Sequence, residues 1–109
     1  MSDFNFKSQI CTSREQSERL LALGLKKETA DMSYQYLNQW DGWFIRPIEE
    51  DEKITHMEIP AWSLHRLLAM LTTKRKVMLI RFEADLYDVL IDKIEHEIKE
   101  GYFNKEYLI

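Results

Sequence analysis

The stretch MSYQYLNQWDGWFIRPI, Met32–Ile48, decides the fold because it carries the pattern of a β-hairpin. In its first half, apolar and aromatic residues occupy every second position, which is the period of a half-buried strand. The segment NQWDG follows as a turn, and Asp41-Gly42 is a dipeptide common in hairpin connections. WFIRPI is then the returning strand. Because Pro47 cannot donate a backbone hydrogen bond, we expect that strand at the edge of a sheet.

A first helix is predicted before the hairpin, in the segment CTSREQSERLLALGL, residues 11–25. Two overlapping pairs of residues fit a capping box: Thr12 with Glu15, and Ser13 with Gln16. The helix should therefore begin at Ser13 or Arg14. Because Gly24 can adopt the left-handed conformation that follows a last helical turn, the helix should end at about Leu23.

Two more helices are predicted in the second half of the chain. In EIPAWSLHRLLAML the leucines form one apolar stripe, with His65 at its border. This helix either begins with Pro60 at its first position or has Ser63 as its N-cap, and we prefer the second because it lets Trp62 fold onto the apolar face. The last helix has the clearest stripe and ends at Gly101; the stripe comprises Leu86, Tyr87, Leu90, Ile91, Ile94 and Ile98.

Between these two helices, VMLIRF at 77–82 is a short apolar run that predicts a central strand. The resulting order is α-β-β-α-β-α. We read it as an α+β fold, with a small, mostly antiparallel sheet of about three strands and about three helices, in a single domain spanning 1–109. The sequence leaves open whether the third strand pairs parallel or antiparallel with the hairpin.

Composition excludes several classes of protein. With 45% hydrophobic and 31% charged residues, three Gly and two Pro, the chain has the composition of a folded globular domain. No apolar run reaches signal-peptide or membrane-helix length, so we expect a cytoplasmic protein without a membrane partner. The single Cys11 cannot form an internal disulfide and is expected to be a buried apolar side chain.

No motif for catalysis or for cofactor binding stands out. The histidines at 56, 65 and 96 form no metal-binding pattern, the three glycines are isolated, and no nucleophile elbow occurs. We therefore expect no catalytic residues, no metal, no cofactor and no enzymatic activity.

A cationic segment surrounds the second predicted helix: residues 59–82 contain five basic and no acidic residues. Arg66 and the three consecutive residues Lys74, Arg75 and Lys76 could contact three or four phosphates, which would give weak, strongly salt-dependent binding of nucleic acid. The alternative is that residues 72–76 form an exposed loop whose cations lie near a helix C-terminus. The net charge of −4 argues against a dedicated nucleic-acid-binding protein.

Aromatic residues are concentrated in the predicted hairpin: Tyr34, Tyr36, Trp40 and Trp43. If their rings are exposed together, they form the kind of patch that occurs at protein interfaces. The alternative is that most of these rings pack in the core.

Four segments of the sequence carry a resemblance to a known family: CTSREQSERLLALGL (11–25), TADM (29–32), IPAWSL (59–64) and GYFNKEYL (101–108). Together they resemble an uncharacterised family of small proteins from Bacteroides and related gut bacteria, often in phage-like or mobile regions. The resemblance implies origin and related fold, and it carries no activity.

Our leading hypothesis is a non-enzymatic interaction or accessory protein of a mobile genetic element. It would act through the aromatic hairpin on an unknown protein partner or by self-association as a homodimer. The alternative hypothesis is a weak nucleic-acid-binding accessory protein that uses the basic loop at 72–76.

Overall fold

A computed structural model describes residues 9–49, 52–72 and 85–109. These residues form an α+β fold with three α-helices and three antiparallel strands, which confirms the predicted class. In chain order the elements are α1 (Arg14–Ala22), β1 (Met32–Leu37), β2 (Gly42–Pro47), β3 (Ile59–Ala61), α2 (Leu64–Met70) and α3 (Leu86–Glu100).

The hairpin forms as predicted. β1 and β2 pair antiparallel, with Tyr34 opposite Ile45 and Tyr36 opposite Trp43, and a short 3-10 turn at Asn38–Trp40 connects them. The strand order is β2-β1-β3, so β2 lies at an edge of the described sheet, as Pro47 indicated.

β3 was not predicted from the sequence. Its three residues, Ile59–Ala61, pair antiparallel with the other side of β1. A strand of this length contains too few residues to establish a period of two, and Pro60 argues against a strand because proline is uncommon within strands. The strand predicted at 77–82 lies outside the described residues.

The predicted end signals of α1 are confirmed. Of the two candidate capping boxes, the pair Ser13 and Gln16 forms: the Gln16 amide donates to the Ser13 hydroxyl at 3.1 Å, and the Ser13 amide donates to the Gln16 side chain at 2.9 Å. At the other end, Gly24 has φ of +103°, and the Leu25 amide donates to the Leu20 carbonyl at 3.3 Å in a Schellman motif.

The start of α2 follows the preferred alternative. Ser63 is the N-cap, its hydroxyl accepting from the Arg66 amide at 3.1 Å, and Trp62 lies outside the helix. The indole of Trp62 is fully buried in the core, and its Nε1 donates to the Thr29 hydroxyl at 2.9 Å. His65, by contrast, is exposed. Trp62 thus anchors the start of the helix.

The core lies among the three helices and the segments that connect the elements, and α3 contributes its predicted apolar face to it. Tyr87, Leu90, Ile91 and Ile94 are buried. Glu97 is also buried, at 1% exposure, and its carboxylate accepts hydrogen bonds from the backbone and hydroxyl of Thr72 at 2.9 to 3.1 Å. Glu97 therefore lies on the buried face of this helix.

Candidate interaction surface

Five large apolar side chains are exposed on the β1–β2 hairpin. They form what we call the aromatic hairpin surface, which consists of Tyr36, Trp40, Trp43, Phe44 and Ile45. Trp40 is 65% exposed and the others are 38 to 41% exposed. Exposed apolar residues scattered singly are ordinary in proteins, whereas a contiguous group of this kind is typical of an interaction site.

One face of the hairpin carries Tyr36, Trp43 and Ile45. Tyr36 and Trp43 are direct cross-strand partners, and their rings meet edge to face with centroids 5.4 Å apart. The guanidinium of Arg14, at the start of α1, lies 5.0 Å from the centre of the Trp43 ring. These contacts fix both rings against the sheet while their outer surfaces stay in solvent, so the face is ordered before anything binds to it.

The opposite face carries the other two rings. Because successive side chains of a strand point to opposite faces, Phe44 lies on the reverse side from Trp43. Trp40 folds from the turn onto this side, and its ring meets Phe44 edge to face at 5.3 Å. Asp41 allows this geometry by adopting the left-handed conformation, with φ of +44°. Its carboxylate also accepts a hydrogen bond from the Tyr36 hydroxyl, which raises the pKa of Tyr36.

Of the four aromatic residues predicted as an interaction surface, Tyr34 has a different position. It is half-buried, and its hydroxyl donates to the Thr12 carbonyl at 2.8 Å. Burial raises the pKa of Tyr34 to about 12, and the Cys11 thiol, 3.8 Å from the hydroxyl, adds to this effect. Tyr34 therefore attaches the hairpin to the segment before α1, and of this cross-strand pair only Ile45 belongs to the surface.

Phe44 and Ile45 belong to the surface but were missed by the sequence analysis. The signal was present: in the run WFI, Trp43–Ile45, three apolar residues occupy both faces of a strand that Pro47 marks as an edge. An edge strand with one buried and one solvated face alternates apolar and polar residues. Apolar residues on both faces of an edge strand therefore indicate that some of these side chains are exposed.

A polar cluster holds the inner end of the hairpin. The Arg46 guanidinium contacts Glu52 at 2.7 Å and Glu58 at 2.9 Å, and Glu58 also accepts from the Ser33 hydroxyl at 2.7 Å. Burial acts to raise the pKa of Glu58, but the hydrogen bond from Ser33 and the charge of Arg46 outweigh it and hold that pKa below its usual value. The one charged side chain of β2 is thereby neutralised within the molecule.

Within the described residues, no strand pairs with the backbone groups at the outer edge of β2. The Ile48 amide donates to the Asp31 carbonyl at 2.9 Å, which identifies this pair as hydrogen-bonded. Because such pairs alternate along an antiparallel ladder, Phe44 and Arg46 direct their backbone groups toward β1, whereas Trp43, Ile45 and Pro47 direct theirs outward.

The positions of the two prolines agree with this alternation. Ser33 lies between Arg46 on β2 and Pro60 on β3. Its backbone groups face β2, so Pro60 belongs to a pair without hydrogen bonds and its nitrogen faces away from β1, as that of Pro47 does. At both positions the missing donor costs the sheet nothing.

The predicted phosphate contacts are not brought together within the described residues. The Arg66 side chain is half-buried and donates to the Thr29 carbonyl at 3.3 Å, so its guanidinium has a structural partner. Lys74, Arg75 and Lys76 lie outside the described residues.

Among residues 9–49, 52–72 and 85–109, no group of His, Cys, Asp and Glu side chains is arranged to hold a metal ion. Likewise, no helix of 9–49, 52–72 or 85–109 is long and apolar enough to cross a membrane.

Comparison with known proteins gives no match: no family model matches the chain, and neither does any curated protein or any solved structure.

Proposed function

We propose that this protein acts by binding other protein chains through the aromatic hairpin surface, without an enzymatic activity of its own. The observation that carries the proposal is the exposure of apolar side chains on both faces of an edge hairpin. Tyr and Trp are the residues that most often dominate the energy of protein interfaces, because they bury large areas while few bonds lose rotation.

Removing the exposed rings of this surface from water would favour binding. Apolar surface gains about 25 cal/mol for each Å² removed from water, and a fully buried aromatic side chain covers about 150 to 250 Å². Trp40 is 65% exposed, so covering this one ring would contribute roughly 2 to 4 kcal/mol before the costs of association. The preformed contacts of Trp40 with Phe44 and of Tyr36 with Trp43 lower the ordering cost of binding.

The resemblance to proteins of phage-like and mobile regions is the ground for proposing that such binding serves an accessory role in a mobile genetic element. The nearest competing function, nucleic-acid binding, would depend on Lys74–Lys76, outside the described residues.

The test is affinity capture with matched variants. Three immobilised proteins are exposed to the same host lysate: the wild type, the double variant Trp40→Ala with Phe44→Ala, and the control Tyr102→Ala. Tyr102 is 61% exposed but follows α3, outside the hairpin. We expect the double variant to lose the captured proteins and the control to keep them. Retention by the double variant at the wild-type level would refute the proposal.

A further inference from the structure

The outer edge of β2 and the aromatic hairpin surface coincide, and we infer that the surface binds a second copy of this chain. The two β2 strands would pair antiparallel about a two-fold axis at Phe44. This inference rests on the proposed function and names one partner for it. In the described ranges 9–49, 52–72 and 85–109, no strand pairs with this edge.

The register follows from which backbone groups face outward. With Phe44 opposite its symmetry mate, Trp43 of each copy lies opposite Ile45 of the other. Both of these residues present an amide and a carbonyl outward, so the two pairs exchange four hydrogen bonds. No donor or acceptor of Trp43 and Ile45 is then left without a partner.

A symmetric register with its axis at Ile45 can also form four hydrogen bonds, so the two registers differ in which carbonyl is left out: that of Pro47 with the axis at Phe44, and that of Trp43 with the axis at Ile45. An axis at Ile45 places Trp43 opposite Pro47, which has no amide, so one carbonyl in each copy remains unpaired. An axis at Trp43 places Ile45 opposite Asp41, whose amide already donates to the Asn38 carbonyl in the turn. The edge is therefore self-complementary about a two-fold axis, and the side chains favour the register with the axis at Phe44.

Side chains agree with the same register. On one face, Trp43 would lie beside Ile45 of the second copy, which continues the row of Tyr36 and Trp43 across the axis. On the other face, the two Phe44 rings would meet, each flanked by Trp40. Arg46 would lie opposite Gly42, which leaves room for its ion pairs with Glu52 and Glu58; no like charges would face each other.

The surface area predicts the strength of the contact. The four rings are between 38% and 65% exposed, and at about 200 Å² per ring they leave roughly 350 Å² of aromatic surface on each copy. Two copies would cover roughly 700 Å² before Ile45 and the backbone are counted, which is below the roughly 1,200 Å² at which stable specific interfaces begin and is typical of a weak, transient contact. We therefore expect a reversible dimer that forms as protein concentration rises.

Disulfide trapping tests both the dimer and its register. In the inferred dimer the Phe44 side chains face each other across a pair without hydrogen bonds, where β-carbons lie about 4.5 to 5.5 Å apart, within a small adjustment of disulfide geometry. The two Ile45 side chains would be diagonal neighbours at about 7 to 8 Å, beyond disulfide reach. Phe44→Cys should form covalent dimers under a mild oxidant, and Ile45→Cys should form them many times more slowly. Cys11 is buried and present in both.

Sedimentation velocity of the wild type and of Ile45→Pro completes the test. Ile45 directs its amide outward, so proline there removes dimer hydrogen bonds and leaves the β1–β2 ladder in place. We expect the weight-average mass of the wild type to rise with concentration and that of Ile45→Pro to stay monomeric, with unchanged circular dichroism.

Three results would overturn the inference: a wild type that stays monomeric up to its solubility limit, absence of a Phe44→Cys dimer, or Ile45→Cys dimers that form as fast. If the wild type is monomeric but the hairpin still captures other proteins, the proposed function stands and this inference alone fails.

Discussion

Two hydrogen bonds join the buried residues Thr12 and Trp62. The Thr12 amide donates to the Trp62 carbonyl at 2.9 Å, and the Trp62 amide donates to the Thr12 hydroxyl at 3.1 Å. The pair connects the segment before α1 to the segment between β3 and α2. Because Tyr34 donates to the carbonyl of the same Thr12, the hairpin is attached to this junction as well.

Thr12→Val should therefore destabilise the protein. It removes the hydroxyl that serves the Trp62 amide and the buried Ser17 hydroxyl, 2.8 Å away, and leaves both without that partner. We expect a loss of about 1 to 3 kcal/mol in the free energy of unfolding, measured by urea denaturation. The control Thr12→Ser keeps the hydroxyl and should lose less. Equal losses in both variants would show that the hydroxyl contributes nothing.

Gly24→Ala should destabilise the protein more than Gly42→Ala does. Gly24 has φ of +103°, and the nearest atom to an added β-carbon is Leu108 Cδ2 at 4.0 Å, so the cost is one of backbone conformation rather than of space. We expect about 1 to 2 kcal/mol at Gly24. Gly42 has no positive φ, and its nearest contact of 3.6 Å is ordinary. Thermal denaturation of both variants measures the difference, and a larger loss at Gly42 would contradict the prediction.

Acid should weaken the polar cluster at the inner end of the hairpin. The pKa of Glu58 is lowered in the folded state, so its contribution to stability is present above the unfolded pKa and is lost as pH falls through the folded pKa. Glu58→Gln should therefore reduce stability at neutral pH and flatten its decline below about pH 4.3, the usual value for Glu. Denaturation from pH 7 to pH 3 measures this. The control is Glu18→Gln, which removes one exposed carboxylate of α1.

Alkaline titration should distinguish the two tyrosines of β1. The pKa of Tyr34 is raised to about 12, so this hydroxyl should ionise late in a titration followed by phenolate absorbance. Because a raised folded pKa stabilises the protein below the unfolded pKa of about 10, the contribution of Tyr34 is lost as pH rises toward its folded value. Tyr34→Phe should remove this late component. Its persistence in that variant would assign the component to another tyrosine.

The sequence predicted the hairpin, α1 and α3 because their signals are local. A period of two from Met32 to Leu37, the capping box at Ser13 and the glycines at 24 and 101 act on neighbouring residues, so no long-range information was needed. β3 lacked such a signal, since Ile59–Ala61 is a strand only because the fold brings it beside β1.

The candidate site was predicted in part for the same reason. Tyr34 and Tyr36 share one face of β1 and look equivalent in the sequence, and only the distant position of Thr12 decides that Tyr34 is held and Tyr36 is exposed. Glu97 falls within the apolar stripe of α3 on a helical wheel, and Thr72, which is distant in the sequence, provides the donors that allow this carboxylate to be buried.

Hydrogen exchange on the bound protein tests the central claim, binding through the aromatic hairpin surface, most directly. Amides of the segment 40–45 are compared with those of α3 (Leu86–Glu100) in the free protein and in its complex with a captured partner or a second copy. We predict that exchange slows on binding in segment 40–45, above all at the outward amides of Trp43 and Ile45, and stays unchanged in α3. Unchanged exchange throughout 40–45, with protection appearing elsewhere, would contradict the account.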